Sequence, residues 1–160
     1  MRYYRLMKRL LIFLSVLLIS CIAQQSDQGE LTAIILTAGD QEIPLVVEIA
    51  DEPLELERGL MGREFIPNDQ GMLFIFPSPK ILTFWMKDTL IPLDVLFFDA
   101  DGNFINMKTM DPCTADPCQT YSSNGLATSA LELASGFYEQ QLEPLLQQKG
   151  AVLQLRFAEE

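Results

Sequence analysis

Short apolar runs separated by turn-forming residues are the feature that most restricts the fold of this chain. Residues 31–37 and 43–49 are rich in branched apolar side chains and flank Ala38-Gly39-Asp40-Gln41, a pattern that predicts a β-hairpin. Asp99-Ala-Asp-Gly102 is a strong turn signal and predicts a second hairpin. Further strands are predicted at residues 72–76, 81–86, 95–99, 103–108, 128–133 and 152–157.

Two segments have helical character instead. Residues 52–59 carry Pro53 early, acidic residues in the first turn and Gly59 at the end, which is typical of a short helix. Residues 137–148 have helical spacing, although Pro144 should kink or restart that helix. We therefore expect a mainly β, α+β fold: a small antiparallel, partly closed sheet or barrel with one or two short helices.

The first twenty residues have the pattern of a lipoprotein signal peptide. Residues 1–9 contain four basic residues and no acidic one, and residues 10–18 are apolar but too few for the roughly 20 residues that cross a bilayer. Leu18-Ile-Ser-Cys21 resembles a lipobox, so we expect lipid on Cys21 to anchor the exported protein on the extracytoplasmic side, facing the periplasm or the cell surface. An uncleaved N-terminal anchor is the alternative.

Cleavage would leave a polar tether at residues 21–30 and a single globular domain at residues 31–160. The leader holds four of the eleven basic residues and none of the twenty-two acidic ones, so the net charge would change from −11 to −15. So acidic a protein is repelled by nucleic acid and by anionic lipid head groups, and neither is an expected partner.

Histidine and cysteine usage restricts the chemistry. The chain has no His, which excludes Ser-His-Asp and Cys-His catalysis and the usual zinc ligand sets, and we predict no metal and no cofactor. Cys113 and Cys118 are separated by turn formers in an exported protein, which favours a local disulfide. A metal or redox pair is the weaker alternative, because a metal site needs more than two ligands.

Four motifs occur in order along the chain. They are Glu57-Arg-Gly-Leu-Met-Gly-Arg63, then Gly71-Met-Leu-Phe-Ile-Phe76, then Phe84-Trp-Met-Lys-Asp-Thr-Leu-Ile-Pro-Leu-Asp94 with Phe97-Phe-Asp-Ala-Asp-Gly102, and finally Ala130-Leu-Glu-Leu133 before Gly136. Together they resemble the bacterial and archaeal family called the domain of unknown function numbered 192, over residues 31–157. The resemblance implies a compact β-rich domain, often exported, with no established activity.

The motifs also concentrate positive charge on an acidic protein. Arg58, Arg63 and Lys87 fall within them, and Trp85 offers a stacking surface, so these segments could form a pocket for a small anionic or sugar ligand. The predicted binding residues are Arg58, Met61, Arg63, Trp85, Met86, Lys87, Asp88 and Asp94. The alternative is structural: the cations pair with Asp88 or Asp94, and Trp85 closes the core.

Two other kinds of site carry less weight. Five methionines could offer thioethers to Cu(I), namely Met61, Met72, Met86, Met107 and Met110. Their spacing is not that of a dense metal motif, and each lies in an apolar segment, which favours a role in filling the core. The carboxylates Asp88, Asp94, Asp99 and Asp101 could supply an acid and base pair for a hydrolase of envelope polysaccharide. We predict no catalytic residue. The expected function is a ligand-binding or accessory module of the cell envelope, with the hydrolase and a structural envelope protein as alternatives.

Overall fold

A computed structural model describes residues 31–158 of the chain. The predicted signal peptide, the expected lipid acceptor Cys21 and the expected polar tether lie outside these residues. Within the described part of the chain, no helix combines the length and the apolar character needed to span a membrane.

Within residues 31–158, seven strands form one sheet. Their order across the sheet is β5-β4-β6-β3-β2-β1-β7, which leaves β5 and β7 at the two edges. The strands are β1 (Leu31–Ala38), β2 (Gln41–Ala50), β3 (Gln70–Trp85), β4 (Leu93–Phe98), β5 (Phe104–Met110), β6 (Thr120–Ala134) and β7 (Leu153–Phe157). The prediction of a mainly β, partly closed sheet is confirmed.

The two edges of the sheet meet at one end, which curls it into a half-barrel. Asn103, in the turn between β4 and β5, forms an antiparallel bridge with Gln154 of β7. Their side chains are joined by a hydrogen bond of 2.8 Å, and Leu155 N–H donates to the carbonyl of Gly102 at 2.9 Å. A Cβ on Gly102 would come within 2.2 Å of that neighbouring backbone, so glycine permits this approach.

One strand pair differs from the antiparallel sheet expected from the sequence. β2 and β3 run parallel, whereas every other neighbouring pair is antiparallel. Parallel neighbours cannot be joined by a tight hairpin, so the chain between them must cross over outside the sheet. This crossover contains helix α1 (Pro53–Arg58), and it covers one face of the sheet.

Both faces of the sheet are buried, which explains why every residue of β4 is buried. On one face, Ile34, Leu36, Leu96 and Leu131 belong to a core that is closed by a π-helical turn (Tyr138–Leu142) and helix α2 (Glu143–Leu146). On the other face the core includes Leu60, from the crossover, together with apolar residues of β3, β4 and β6.

Several element boundaries differ from the sequence prediction. The strands expected at residues 72–76 and 81–86 belong to one long strand, β3, whose register with β6 is interrupted between Ile75 and Lys80. β6 begins at Thr120, well before the strand predicted at residues 128–133. Pro144 lies in the first turn of α2, where proline is tolerated. This agrees with the prediction that Pro144 restarts the helix.

Candidate functional site

The crossover begins with a helix that is fixed at both ends. The Glu55 carboxylate accepts hydrogen bonds from the backbone N–H groups of Asp51 and Glu52, at 3.3 and 3.2 Å, which satisfies donors at the start of α1. Gly59 ends the helix at φ 48°, ψ −133°, and its N–H donates to the carbonyl of Glu55 at 2.8 Å. This positive φ redirects the chain across the sheet.

The segment after the helix is tied to the turn between β3 and β4. Gly62 N–H donates to the carbonyl of Asp88 at 2.9 Å, and Asp88 itself has a positive φ of 55°. Leu60 is buried in the core beneath. These contacts hold the crossover beside Trp85, at the end of β3.

An open cleft of about 550 Å³ lies between the crossover and this turn. Its volume falls in the range of roughly 300–1,000 Å³ that is usual for ligand pockets. Trp85 is 46% exposed, and Lys87 Nζ lies 5.3 Å from the centroid of its ring. We call this cavity the outer cleft. It is lined by Leu54, Glu55, Glu57, Arg58, Met61, Trp85, Lys87 and Asp88.

A smaller cavity of about 160 Å³, the inner chamber, lies deeper in the same region. It shares Glu57, Arg58, Met61 and Trp85 with the outer cleft, so the two cavities adjoin at these residues. Besides these shared residues, its wall includes aromatic rings, two threonines and one buried carboxyl group, beside the backbone of the crossover. These residues are Phe74, Phe76, Phe84, Thr83, Thr89 and Glu132.

Glu132 is the unusual residue of the inner chamber. It is only 5% exposed, and burial raises the pKa of its carboxyl from 4.5 to about 8. The group is therefore mostly a neutral acid at pH 7. Among residues 31–158, no hydrogen bond or ion pair reaches this carboxyl. A glutamate this deeply buried is uncommon in proteins.

Glu132 belongs to a row of residues that crosses the sheet. Glu48 of β2 is in register with Met72 of β3, and Met72 is in register with Glu132 of β6. Residues directly opposite on neighbouring strands share a face, so both glutamates lie beneath the crossover. Glu48 is bound by Arg63, whose Nη2 lies 2.6 Å from Glu48 Oε2. Glu48 and Arg63 line a third cavity of about 70 Å³.

The predicted binding residues fall into three groups. Arg58, Met61, Trp85, Lys87 and Asp88 all line the outer cleft. Arg63 is engaged with Glu48 beside it, in a cavity that also includes Arg58 and Met61.

Met86 and Asp94 make up the third group, and both are placed elsewhere. Met86 is buried in the core, 1% exposed. Asp94 is also 1% exposed, and it accepts hydrogen bonds from Thr109 Oγ1 at 2.9 Å and from Tyr138 N–H at 3.0 Å. Strand alternation places Asp94 on the face of the sheet opposite to Glu132, since Val95 is the cross-strand partner of Glu132.

The other carboxylates and methionines considered from the sequence do not form one site. Asp99 Oδ1 accepts hydrogen bonds from the N–H groups of Asp101 and Asn103 and shapes the β4–β5 turn. Met72, Met86 and Met110 are buried in the core. Among the described residues, no group of three or more Cys, Asp and Glu side chains is arranged to hold a metal ion.

The loop between β5 and β6 contains the predicted disulfide. Cys113 and Cys118 are bonded, with their Cα atoms 5.4 Å apart. Cys113 N–H also donates to the carbonyl of Met86 at 3.3 Å. The cross-linked loop is therefore attached to the turn that presents Trp85 and Lys87.

Sequence reasoning missed Glu132, the aromatic wall behind it and Leu54 at the mouth of the cleft. One signal was present: Glu132 is the lone charged residue in the apolar segment 128–133. Because Leu131 and Leu133 point to one face of a strand, Glu132 had to point to the other. Whether that face was solvent or a second core could not be read from this segment alone.

These features define a class of protein: a small half-barrel domain with a mixed sheet. In it, a crossover covers a pocket that contains a buried glutamate. The chain belongs to the family DUF192, described as "Uncharacterized ACR, COG1430", which matches residues 34–144. This match confirms the resemblance seen in the four motifs. No curated protein matches the chain.

Two solved structures share the fold. A protein from Sinorhizobium meliloti 1021, described as a candidate transcription regulator, is 28% identical, with a TM-score of 0.69 over 81% of this chain and 95% of that one. A protein of unknown function from Novosphingobium aromaticivorans DSM 12444 is 23% identical, with a TM-score of 0.68 over 84% of this chain and 90% of that one.

Proposed function

We propose that this protein is a lipid-anchored, extracytoplasmic module that binds a small ligand in the outer cleft and the inner chamber. The observation that carries the proposal is the Glu132 carboxyl, which is buried at the wall of a cavity and receives no hydrogen bond or ion pair from residues 31–158. A ligand that reaches Glu132 through the cleft would supply the missing partner.

The outer cleft has the chemistry of a recognition surface. The half-exposed Trp85 ring offers a flat apolar surface, and Lys87 and Arg58 bring positive charge to the same cavity. Asp88, Glu55 and Glu57 add acceptors. Such a mixture of one aromatic surface with a few polar groups suits a small ligand with an anionic or hydroxylated part.

The carboxylate-dependent hydrolase is less well supported. Glu48 and Glu132 lie two strands apart on one face, and burial raises the pKa of Glu132. However, Glu48 is held by Arg63 and lines the third cavity, whereas Glu132 lines the inner chamber. A hydrolase needs both carboxyls to face the same substrate bond.

A role in transcription, as the description of the Sinorhizobium relative suggests for that protein, fits this chain poorly. Its net charge of −11 opposes contact with the phosphates of nucleic acid. The predicted lipid anchor would also keep the domain outside the cytoplasm.

Trp85 provides the test of ligand binding, because it is the single tryptophan of the chain and lines the cleft. The purified full-length protein is titrated with small carboxylates, sugar phosphates, neutral sugars and amines while its emission is recorded. At least one compound should change the emission saturably and raise the melting temperature. Lys87→Ala should weaken that binding without lowering the stability, and Lys149→Ala, at an exposed position outside the cleft, is the control. No response from any class would reject the proposal.

A further inference from the structure

The inner chamber combines aromatic rings with one buried carboxyl. Phe74, Phe76, Phe84 and Trp85 line it together with Glu132. We infer, on the basis of the proposed function, that this chamber binds the ammonium end of a small organic cation. The faces of aromatic rings attract cations, and a carboxylate supplies the counter-charge, which is a combination suited to alkylated ammonium groups.

Two of these rings already hold ammonium groups of the chain itself. Lys80 Nζ lies 4.3 Å from the centroid of Phe76, and Lys87 Nζ lies 5.3 Å from that of Trp85. Phe74 and Phe84 pack edge to face, with their centroids 5.0 Å apart, which fixes the arrangement of the inner wall. The rings of Phe76 and Trp85 are therefore suited to positive charge.

Glu132 is the buried acid of the chamber, and the ammonium groups of Lys80 and Lys87 lie over two of its rings. The other charged residues that line it, Glu57 and Arg58, are opposite in sign. The neighbouring strands contribute uncharged side chains beside Glu132, namely Met72 from β3 and Val95 from β4, and the β3–β4 turn contributes Thr89. No second acid shares the buried wall with it among these residues.

Binding of a cation requires the ionised form of Glu132. Burial raises the pKa of this carboxyl to about 8, so Glu132 is mostly protonated at pH 7. When an ammonium group arrives, the O–H bond of Glu132 breaks, its proton leaves to solvent, and the carboxylate pairs with the cation. The exchange keeps the buried charge near zero, so the affinity should rise up to about tenfold per pH unit below pH 8 and level off above it.

The size of the chamber limits what can enter. At about 160 Å³ it is smaller than the pockets of roughly 300–1,000 Å³ that hold drug-sized ligands, so only an ammonium group with a few carbons fits. The rest of the ligand would extend into the outer cleft, past Trp85 and Arg58, where the two cavities adjoin. The acidic body of the protein would favour the approach of a cation.

Choline and its uncharged isostere 3,3-dimethylbutan-1-ol test the inference, because they differ chiefly in charge. Trp85 emission and the melting temperature of the full-length protein are followed with each compound between pH 6 and 9. We expect choline to bind, more tightly as the pH rises to 8, and the isostere to bind at least tenfold more weakly. Glu132→Gln, which keeps the shape of the side chain, should weaken choline binding about tenfold or more. Glu139→Gln, an exposed acid on the π-helical turn, is the matched control and should leave binding unchanged.

Equal binding of the two compounds, unchanged choline affinity in Glu132→Gln, or tighter choline binding at lower pH would each overturn the inference. Absence of choline binding would overturn it as well. The proposed function is judged by a separate result. If choline does not bind but anions or sugars change Trp85 emission, the inference fails and the proposed function stands, because the cleft binds ligands of another class. If no compound of any class binds, the proposed function fails together with the inference.

Discussion

Gly59 lies directly over the carboxyl group of Glu132. A Cβ at Gly59 would be 3.9 Å from Glu132 Oε2 and only 3.0 Å from Cζ of Phe74. The backbone of the crossover thus forms the surface that shields Glu132 from solvent on this side, and a residue with a side chain would have to displace the aromatic wall.

The first prediction follows from this contact. Gly59→Ala should lower the stability by about 1–3 kcal/mol, because φ 48°, ψ −133° is a conformation that suits glycine and because the new methyl group meets Phe74. Urea unfolding measures the change. Gly62→Ala separates the two causes: Gly62 also has a positive φ, of 74°, but no atom lies within 4 Å of its Cβ position. Equal losses for the two variants would show that the contact with Phe74 contributes nothing.

Glu132 should make the stability depend on pH. Its carboxyl has a pKa of 4.5 in the unfolded chain and about 8 in the folded protein, so the folded state binds the extra proton between these values. The contribution is fully present below about pH 4.5 and is lost as the pH rises to 8, by roughly 1.4 kcal/mol per pH unit.

Glu132→Gln removes this titration while keeping a neutral polar group. The stability of the variant relative to the unaltered protein should therefore increase from pH 5 to pH 8, as measured by urea unfolding in matched buffers. Parallel stability curves over this interval would show that Glu132 is ionised at pH 7.

The ion pair between Arg63 and Glu48 should stabilise the fold. Because the side chains are only 28% and 9% exposed, Glu48→Gln would leave the Arg63 guanidinium without its counter-charge and should cost about 1–3 kcal/mol. Arg156 and Glu42 form the matched exposed pair, at 2.8 Å with side chains 44% and 59% exposed. Glu42→Gln should change the stability by less than about 1 kcal/mol. Equal effects of the two substitutions would contradict this assignment.

Asp94 should support the fold and leave ligand binding untouched. Asp94→Ala removes the acceptor for Thr109 Oγ1 and Tyr138 N–H, so we expect a loss of about 1–3 kcal/mol. Hydrogen exchange at the Tyr138 amide should become faster. Ligand affinity should stay the same, since Asp94 lies on the opposite face of the sheet from Glu132. Weaker binding in a folded Asp94→Ala protein would assign Asp94 to the site.

The lipid anchor is tested separately, because Cys21 lies outside the described residues. Cys21→Ala should abolish labelling by a fatty-acid analogue and leave the leader uncleaved. Cys113 and Cys118, which form the disulfide, serve as the comparison: their double replacement by Ser should leave labelling intact. Unchanged labelling of Cys21→Ala would refute the anchor.

Local patterns predicted the strands and turns of the fold well, because each depends on neighbouring residues. The hairpin at Gly39 and the turn at Asp99 form where their residue types indicate. The parallel pairing of β2 with β3 was not predicted, since it depends on where a distant segment packs. The sequence predicted two strands in place of the long strand β3, because Pro77 and Pro79 interrupt its apolar pattern. In the structure, the pairing of β3 with β6 resumes after these prolines.

The site was predictable where residue type alone indicates exposure. Trp85 and Lys87 are a large aromatic and a charged residue at the end of an apolar strand, where exposure is expected. They line the cleft together. Asp94 was grouped with them because it is close in sequence, but strand alternation directs it to the other face. Glu132 was overlooked because a charged residue in a strand usually faces solvent, and only the position of the crossover shows that this one is covered.

The parallel pairing of β2 and β3 has an evolutionary consequence. A deletion that shortened residues 51–69 to a tight turn would force β3 to reverse its direction, and the register of β3 with β6 would be lost with it. Connectivity therefore makes the crossover indispensable: its side chains can be substituted, but the passage cannot be removed while the same sheet is kept.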